Sequence, residues 1–267
     1  MRVKLAAILP ESWSISVVIL ALLLVSCTST ITQNVHLKYG NPSGANDRLN
    51  NYLIARPEYA LSYNCQAGTA NWASWQLNRS WLGRTERMDN FRPNTELPAD
   101  CYAVRPNDYR GSGYDRGHLI PSGDRTASRA DNSSTFIMTN ILPQSPSNNR
   151  EVWRELEEYS RKLVYQGKKL YLVAGGQGIA KKIAASKITV PKYTWKAILV
   201  LDSEREITAE NAQTIAVWLP NSEDVRNTDW QDYIVSVDWL EKKTGYNFFA
   251  QLPAKTQRQI ERRKFTY

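Results

Sequence analysis

Short apolar runs separated by turn residues occupy most of the chain after Leu49. Runs of about four to eight such residues, bounded by Gly, Pro, Asn or Ser, are typical of β-strands. We predict strands in four of these runs: 59–64, 71–78, 169–176 and 187–201. The last run is either one strand or a hairpin, with Pro191 at an edge, because proline cannot donate a ladder hydrogen bond.

Helical patterns are fewer. The clearest covers 148–167, where apolar residues from Val152 to Leu163 recur at helical spacing and Gly167 ends the run. Weaker helices are predicted over 207–219, part of which can be strand, and over 236–245. Strands and helices do not alternate regularly, so the sequence predicts the α+β class, with a central antiparallel sheet flanked by helices. The 267 residues are enough for one large domain or two small ones.

The N-terminus has the pattern of an export signal over residues 1–26. A basic start is followed by the apolar run 15–25, which is too short to span a bilayer, since a transmembrane helix needs about 20 apolar residues. The run ends in LVSC at 24–27, which resembles the lipobox of bacterial lipoproteins. This resemblance implies a lipid on Cys27 that anchors the chain to a membrane. The alternative is an N-terminal membrane anchor that stays attached.

The segment that follows is polar and lacks a sustained apolar period. We therefore predict a linker over 27–48 and one domain over 49–267. His36 lies in this linker, and we interpret it as structural. The expected location is outside the cytoplasm, as a cell-envelope lipoprotein or a secreted protein.

Charge and cysteine content narrow the partners. The formal net charge is +8, from 34 basic and 26 acidic residues. Such a balance favours a polyanionic partner, either nucleic acid or an anionic membrane surface. If Cys27 carries a lipid, Cys65 and Cys101 are left; they either pair in an oxidising compartment or stay as two buried thiols.

Two polar features suggest chemistry. Asn149, Glu157 and Arg161 lie at multiples of four residues along the long helix, and Asn149 and Glu157 are about 80° apart on an ideal helix. The alternative is a solvated face with a Glu157–Arg161 ion pair and Asn149 as an N-cap. His118 has a side chain that can accept a proton near neutral pH, as a general base must.

The stretch YDRGH at 114–118 resembles the D-R-G-H signature of the DNA/RNA non-specific endonucleases, which belong to the ββα-metal superfamily. The blocks ERMDNFRP, TFIMTNILPQSPSNNREVWRELE, VPKYTWK and TGYNFF resemble successive parts of the same family, in order. The similarity covers about 49–249, and it is close to the secreted sugar-non-specific nucleases of bacteria. It implies a ββα-metal motif at the active site.

The resemblance also implies roles for individual residues. His118 corresponds to the general base, and Asn149, rather than Asn140 or Asn148, to the direct protein ligand of Mg²⁺. Glu157 corresponds to the residue that orients metal-bound water. The remaining residues are arginines that contact the scissile phosphate, an arginine of the signature and two supporting side chains: Arg87, Arg161, Arg116, Asp115 and Asn140.

These roles predict single-metal hydrolysis of DNA and RNA without sequence preference, leaving 5′-phosphate ends, with Mn²⁺ as a possible substitute for Mg²⁺. If the pKa of His118 is unperturbed, activity should fall below about pH 6.5. The alternatives are an envelope-anchored protein that binds nucleic acid without cleaving it, and a nuclease with a narrower substrate. Some members of the family have a dedicated protein inhibitor, and the sequence leaves open whether this chain has one.

Overall fold

The computed structural model describes residues 34–202 and 204–267. The predicted signal peptide and Cys27 lie outside these residues. The strands are β1 Tyr52–Ala55, β2 Ala60–Asn64, β3 Thr69–Leu77, β4 Asp115–His118, β5 Ile141–Gln144, β6 Lys169–Gln177, β7 Lys181–Ile183, β8 Ile188–Val190, β9 Tyr193–Leu201, β10 Ala212–Pro220 and β11 Ile234–Val235. The α-helices are α1 Arg129–Ser134, α2 Trp153–Tyr165, α3 Val237–Thr244 and α4 Ala254–Glu261. Short 3₁₀ helices lie in the connections.

Seven strands form one antiparallel sheet in the order β1-β2-β3-β6-β9-β10-β11. Strands β4 and β5 form a separate antiparallel pair, as do β7 and β8. The runs predicted as strands at 59–64, 71–78 and 169–176 correspond to β2, β3 and β6. The α+β class with a central antiparallel sheet is therefore confirmed.

The large sheet is covered on both faces, because alternate residues of its central strands join different cores. On one face, Ile198 and Val200 of β9 pack with Trp153 and Leu156 of α2. On the other face, Ala197 and Leu199 pack with residues of α3 and α4, namely Val237, Leu240 and Ile260. The two faces carry different chemistry, since α2 bears the predicted site residues and α3 and α4 do not.

The long helix begins differently from the prediction. Residues Asn148–Val152 form one π-helical turn, and the α-helix follows from Trp153 to Tyr165. Gly167, just after the helix, has a φ of +94°, a conformation that favours glycine. The weaker helix predicted over 207–219 is not formed, but the expectation that part of this run is strand is confirmed: residues 212–219 lie in β10, whose partners β9 and β11 override the helical pattern.

The predicted linker 27–48 needs correction at its C-terminal part. Leu37, Tyr39 and Ala45 are buried against the sheet, and Ser43 Oγ accepts a hydrogen bond of 2.8 Å from Trp72 Nε1. Residues 34–48 therefore belong to the folded domain. Tertiary burial of a few apolar side chains holds this segment, although it lacks any regular apolar period.

His36 in this segment is structural. Its Nδ1 accepts a hydrogen bond from Gln76 N (3.1 Å), so its Nε2 donates to Pro57 O (2.8 Å). Burial, with the charge of Arg125, lowers the pKa of His36 to about 4.

The run 187–201 is neither one strand nor a hairpin. Its two strands, β8 and β9, pair with different partners, and Pro191 lies in the connection between them. The carbonyl of Pro191 accepts a hydrogen bond from Asn221 Nδ2 (2.9 Å).

Cys65 and Cys101 form a disulfide, with Cα atoms 4.8 Å apart. Within the described residues, no helix is long and apolar enough to cross a membrane.

Candidate active site

The site is built on the β4–β5 pair and the helix that follows it. His118 is the last residue of β4 and pairs with Ile141, while Asp115 pairs with Gln144. The chain then enters the π turn and α2, where Trp153 Nε1 donates a hydrogen bond to His118 O (3.3 Å). This ββα arrangement fixes the histidine strand against the start of the helix.

A glycine is required at position 117 because the side chain of Gln144 lies very close to the backbone there. A Cβ atom at this position would lie 1.8 Å from Gln144 Oε1. Gln144 is buried and donates from Nε2 to Asn148 Oδ1 (2.9 Å), so it has little room to move. The glycine of the D-R-G-H signature therefore lets β4 lie close to β5.

His118 is buried between two phenylalanine rings. The ring centroid of Phe136 lies 4.9 Å from that of the imidazole and that of Phe91 lies 5.4 Å from it. Burial, together with the charges of Arg87 and Arg116, lowers the pKa of His118 to about 3. Its Nε2 has no hydrogen-bond partner among the described residues. The imidazole is therefore neutral at pH 7. Because the pKa of His118 is perturbed, the fall in activity below about pH 6.5 is no longer expected from this residue.

Asn149 is oriented by a carboxylate. Its Nδ2 donates to Asp115 Oδ2 (3.0 Å), and because a carboxylate only accepts, the amide oxygen must point away from Asp115. Arg150 donates to both oxygens of Asp115, from Nε at 2.7 Å and from a terminal nitrogen at 2.6 Å. Burial alone would raise the pKa of Asp115, but the hydrogen bonds from Arg150 and Asn149 hold it below its usual value.

The two other asparagines that were weighed are structural. Asn140 is buried and binds the backbone N and O of Ile120 (both 2.9 Å). Asn148 is buried and donates to Thr194 Oγ1 (3.0 Å) and Pro220 O (2.9 Å). Asn149 alone of the three faces the cleft described below.

Glu157 is half-buried and lies among the charged side chains of Lys196, Arg161 and Asp124. Burial raises its pKa to about 7, although the charges of Lys196 and Arg161 act in the opposite direction. Arg161 pairs with Asp124 (2.9 Å) instead of Glu157, so the ion pair weighed as an alternative is not formed. Asp124 also accepts from Trp75 Nε1 (2.9 Å).

Lys196 is a buried member of this charged group. Its Nζ lies 4.1 Å from the ring centroid of Trp153 and has no hydrogen-bond partner among the described residues. The sequence prediction missed Lys196, Asp124 and Arg150. A basic residue directly after Asn149 is visible in the sequence, but nothing local marks the other two.

All predicted active-site residues except Asp115 and Asn140 line one cleft of about 520 Å³. Its walls carry His118, Asn149, Glu157 and five arginines: Arg87, Arg116, Arg150, Arg154 and Arg161. Arg87 donates to Ser122 Oγ (2.9 Å), and the Arg116 guanidinium lies 4.2 Å from the ring centroid of Phe91. The structure therefore brings the predicted residues together, with Asp115 supporting Asn149 from the side.

A second cleft of about 460 Å³ continues the first and shares Arg87, Arg116 and Asn149 with it. Asp115, Tyr109 and Arg110 also line it. The shared residues join the two clefts into one groove, in which only the first cleft contains His118 and only the second contains Arg110. The arginines that line both clefts suit a polyanion.

Comparison with known proteins gives consistent results. Residues 33–255 match the family model of the DNA/RNA non-specific endonucleases. The chain is 53% identical over 235 residues to a nuclease of Nostoc sp. (strain PCC 7120 / SAG 25.82 / UTEX 2576), covering 85% of each chain. It is 32% identical over 209 residues to the mitochondrial nuclease EXOG of Xenopus laevis, covering 73% of this chain and 57% of that one.

The fold is similar to that in the crystal structure of the EndoG/EndoGI complex, determined for the mechanism of EndoG inhibition. The TM-score is 0.72 at 23% sequence identity, and the match covers 86% of this chain and 96% of that chain. Fold, cleft and relatives together define the class of this protein as an endonuclease, a hydrolase of phosphodiester bonds. The chain belongs to the DNA/RNA non-specific endonuclease family, so the resemblance seen in the sequence is confirmed.

Proposed function

We propose that this enzyme hydrolyses DNA and RNA with one Mg²⁺ ion, using His118 as the general base and Asn149 as the direct metal ligand. The observation that carries the proposal is the placement of a neutral, buried imidazole and an oriented asparagine on one arginine-lined cleft. Mn²⁺ is expected to substitute for Mg²⁺, because both accept oxygen ligands.

The donor set fits a hard cation. The Asn149 amide oxygen is turned away from Asp115, and Glu157 is a half-buried carboxylate on the same cleft wall with no ion pair to a described residue. Magnesium takes oxygen ligands and keeps several waters, so one asparagine and a water-bridging Glu157 suffice. When bound, the ion would stabilise negative charge on the departing 3′ oxygen.

The protein groups supply the remaining chemistry. His118 takes a proton from the attacking water, for which its imidazole must be neutral. The guanidinium groups of Arg87, Arg116 and Arg161 bind phosphate oxygens, since their planar fork allows two parallel hydrogen bonds. Water attacks phosphorus and the bond to the 3′ oxygen breaks, so the phosphate stays on the 5′ end of the product.

Phosphate contacts carry no base information, so a site built from arginines and a metal is expected to accept both sugars and any sequence. Binding should weaken steeply with salt, because cations are released from the nucleic acid on binding. A narrower preference for single strands or for one sugar would appear as unequal rates on the different polymers.

The N-terminal assignments rest on the sequence pattern of 1–27. We propose export and lipidation of Cys27, which mass spectrometry of the membrane fraction would test. The EndoG/EndoGI complex concerns a relative in fold. It motivates a search for a polypeptide inhibitor by titrating cleavage with cell extract from the same source.

The direct test uses the chain from Thr28 with supercoiled plasmid and single-stranded RNA, each with Mg²⁺ or EDTA. We expect both polymers to be cut only with metal, and His118→Ala to be at least about a hundredfold slower. Asn149→Ala should behave similarly, while Asn50→Ala, an exposed asparagine away from the cleft, should match the wild type. DNA ligase should rejoin compatible products without prior phosphorylation if they carry 5′-phosphates. Cleavage that persists in EDTA, or a fully active His118→Ala, would overturn the proposal.

A further inference from the structure

A second group of acidic side chains lies away from the cleft, on the other face of the sheet. Asp238 and Glu241 are one turn apart on α3, and Glu261 is the last residue of α4. One carboxylate oxygen from each lies within 4.8 Å of the other two. The two helices pack through Leu240 and Ile260 onto the core opposite α2, so this group is distinct from the active site.

No basic side chain of the described residues pairs with this group, although Glu241 Oε1 accepts a hydrogen bond from Phe248 N (2.8 Å). Glu261 is 4% exposed, and its Oε1 is buried without a hydrogen-bond partner among the described residues. The charges of Glu241 and Asp238 repel it, and only the side chain of Gln257 acts in the opposite direction on its pKa. None of the three forms an ion pair with a described residue. A buried carboxylate is stable only when a cation or a proton neutralises it.

The chemistry of the donors favours calcium. All three are carboxylates, with no histidine or cysteine that would favour zinc. Calcium takes six to eight oxygen ligands in a flexible geometry, whereas magnesium demands a nearly ideal octahedron and is usually held by only one or two carboxylates. Three carboxylates from two helices, close enough to share one ion, therefore suit calcium better than magnesium.

We propose that Asp238, Glu241 and Glu261 bind a Ca²⁺ ion that links α3 to α4 and stabilises the C-terminal part of the domain. Water molecules complete the coordination, because Asp238 and Glu241 are both partly open to solvent. The competing occupant is a proton, since burial next to two carboxylates raises the pKa of Glu261 to about 8. A proton neutralises Glu261 but leaves the protein insensitive to calcium.

The experiment measures the melting temperature of the full mature chain, freed of metal, with and without Ca²⁺. A ligand at about a hundred times its Kd should raise Tm by about 5–10 °C for a domain of this size. Glu261→Gln and Glu241→Gln should lose this rise, while Glu210→Gln, an exposed control, should keep it. Glu261→Gln removes a buried charge without changing the side-chain volume, so it should fold and melt no lower than the wild type in EDTA.

Two further readouts separate this site from the active site. Isothermal titration of Asn149→Ala with Ca²⁺ should show about one ion bound, and nuclease activity with Mg²⁺ should stay within about twofold in both glutamine variants. A wild type whose Tm does not change with Ca²⁺, or a rise that persists in both glutamine variants, would overturn the proposal. Neither result would affect the assignment of His118 and Asn149.

Discussion

The acid limb of the pH–rate profile should be set by Glu157 and not by His118. Burial lowers the pKa of His118 to about 3 and raises that of Glu157 to about 7. At pH 5 the imidazole is therefore about 99% neutral, whereas the carboxyl is only about 1% ionised in the absence of metal. Since orientation of metal-bound water requires the ionised form of Glu157, kcat/KM should fall about tenfold per pH unit below pH 7.

A bound cation lowers the pKa of a neighbouring carboxyl, so this limb should move to lower pH as the Mg²⁺ concentration rises. The assay is the initial rate of plasmid cleavage from pH 4.5 to 8.5, at three Mg²⁺ concentrations, with constant ionic strength. Glu157→Gln should be slower and should lose the limb near pH 7, because its side chain does not titrate. A limb near pH 6.5 that ignores Mg²⁺ and survives in Glu157→Gln would refute the reasoning and return the titration to His118.

A stability measurement on Glu157→Gln and two other variants test separate parts of the structure. At pH 8, the free energy of unfolding in urea should be about 2–3 kcal/mol higher for Glu157→Gln than for the wild type. The reason is that a carboxyl with a raised pKa loses its stabilising contribution as pH rises through about 7. At pH 4 the difference between the two proteins should vanish. Asp115→Asn should raise the Mg²⁺ concentration for half-maximal cleavage about 10–100-fold, since Asp115 orients Asn149; unchanged metal dependence would show that the contact is not needed. Arg110→Glu should raise KM for long DNA and reduce the salt slope by about 1, but leave a nitrophenyl phosphodiester unaffected; the exposed control Arg129→Glu should change neither.

The spacing of apolar and turn residues predicted the strands and helices whose structure depends on their own sequence. Strands β2, β3 and β6 follow apolar runs that neighbouring strands then bury, and α3 ends where Gly245 adopts a left-handed conformation. The D-R-G-H signature and Asn149, further along the chain, predicted that His118 and Asn149 would share a cleft. The 34–48 segment and β10 were misjudged because contacts from distant parts of the chain decide their structure.

The electrostatics of the site could not be predicted from neighbours in sequence. The pKa of His118 depends on burial by Phe91 and Phe136, which come from segments on either side of β4. The spacing of Glu157 and Arg161 is compatible with an i,i+4 ion pair, which was the alternative to a role in the site, but Asp124, from the turn after β4, accepts Arg161 instead. Glu157 is left with a raised pKa, and so we expect the proposed ligand of metal-bound water to be also the group that limits activity at low pH.

Asn149 faces the cleft as the helical spacing predicted, but for a different physical reason. On an ideal α-helix, Asn149 and Glu157 would lie about 80° apart, but residues Asn148–Val152 form a π turn, to which that spacing does not apply. Asn149 nevertheless faces the cleft, because its Nδ2 is held by Asp115 and Asn148 is held in the core by Thr194 and Pro220. The π turn places two adjacent asparagines in opposite environments, one buried and one available to a metal. Tertiary contacts, more than helical periodicity, therefore orient the proposed ligand.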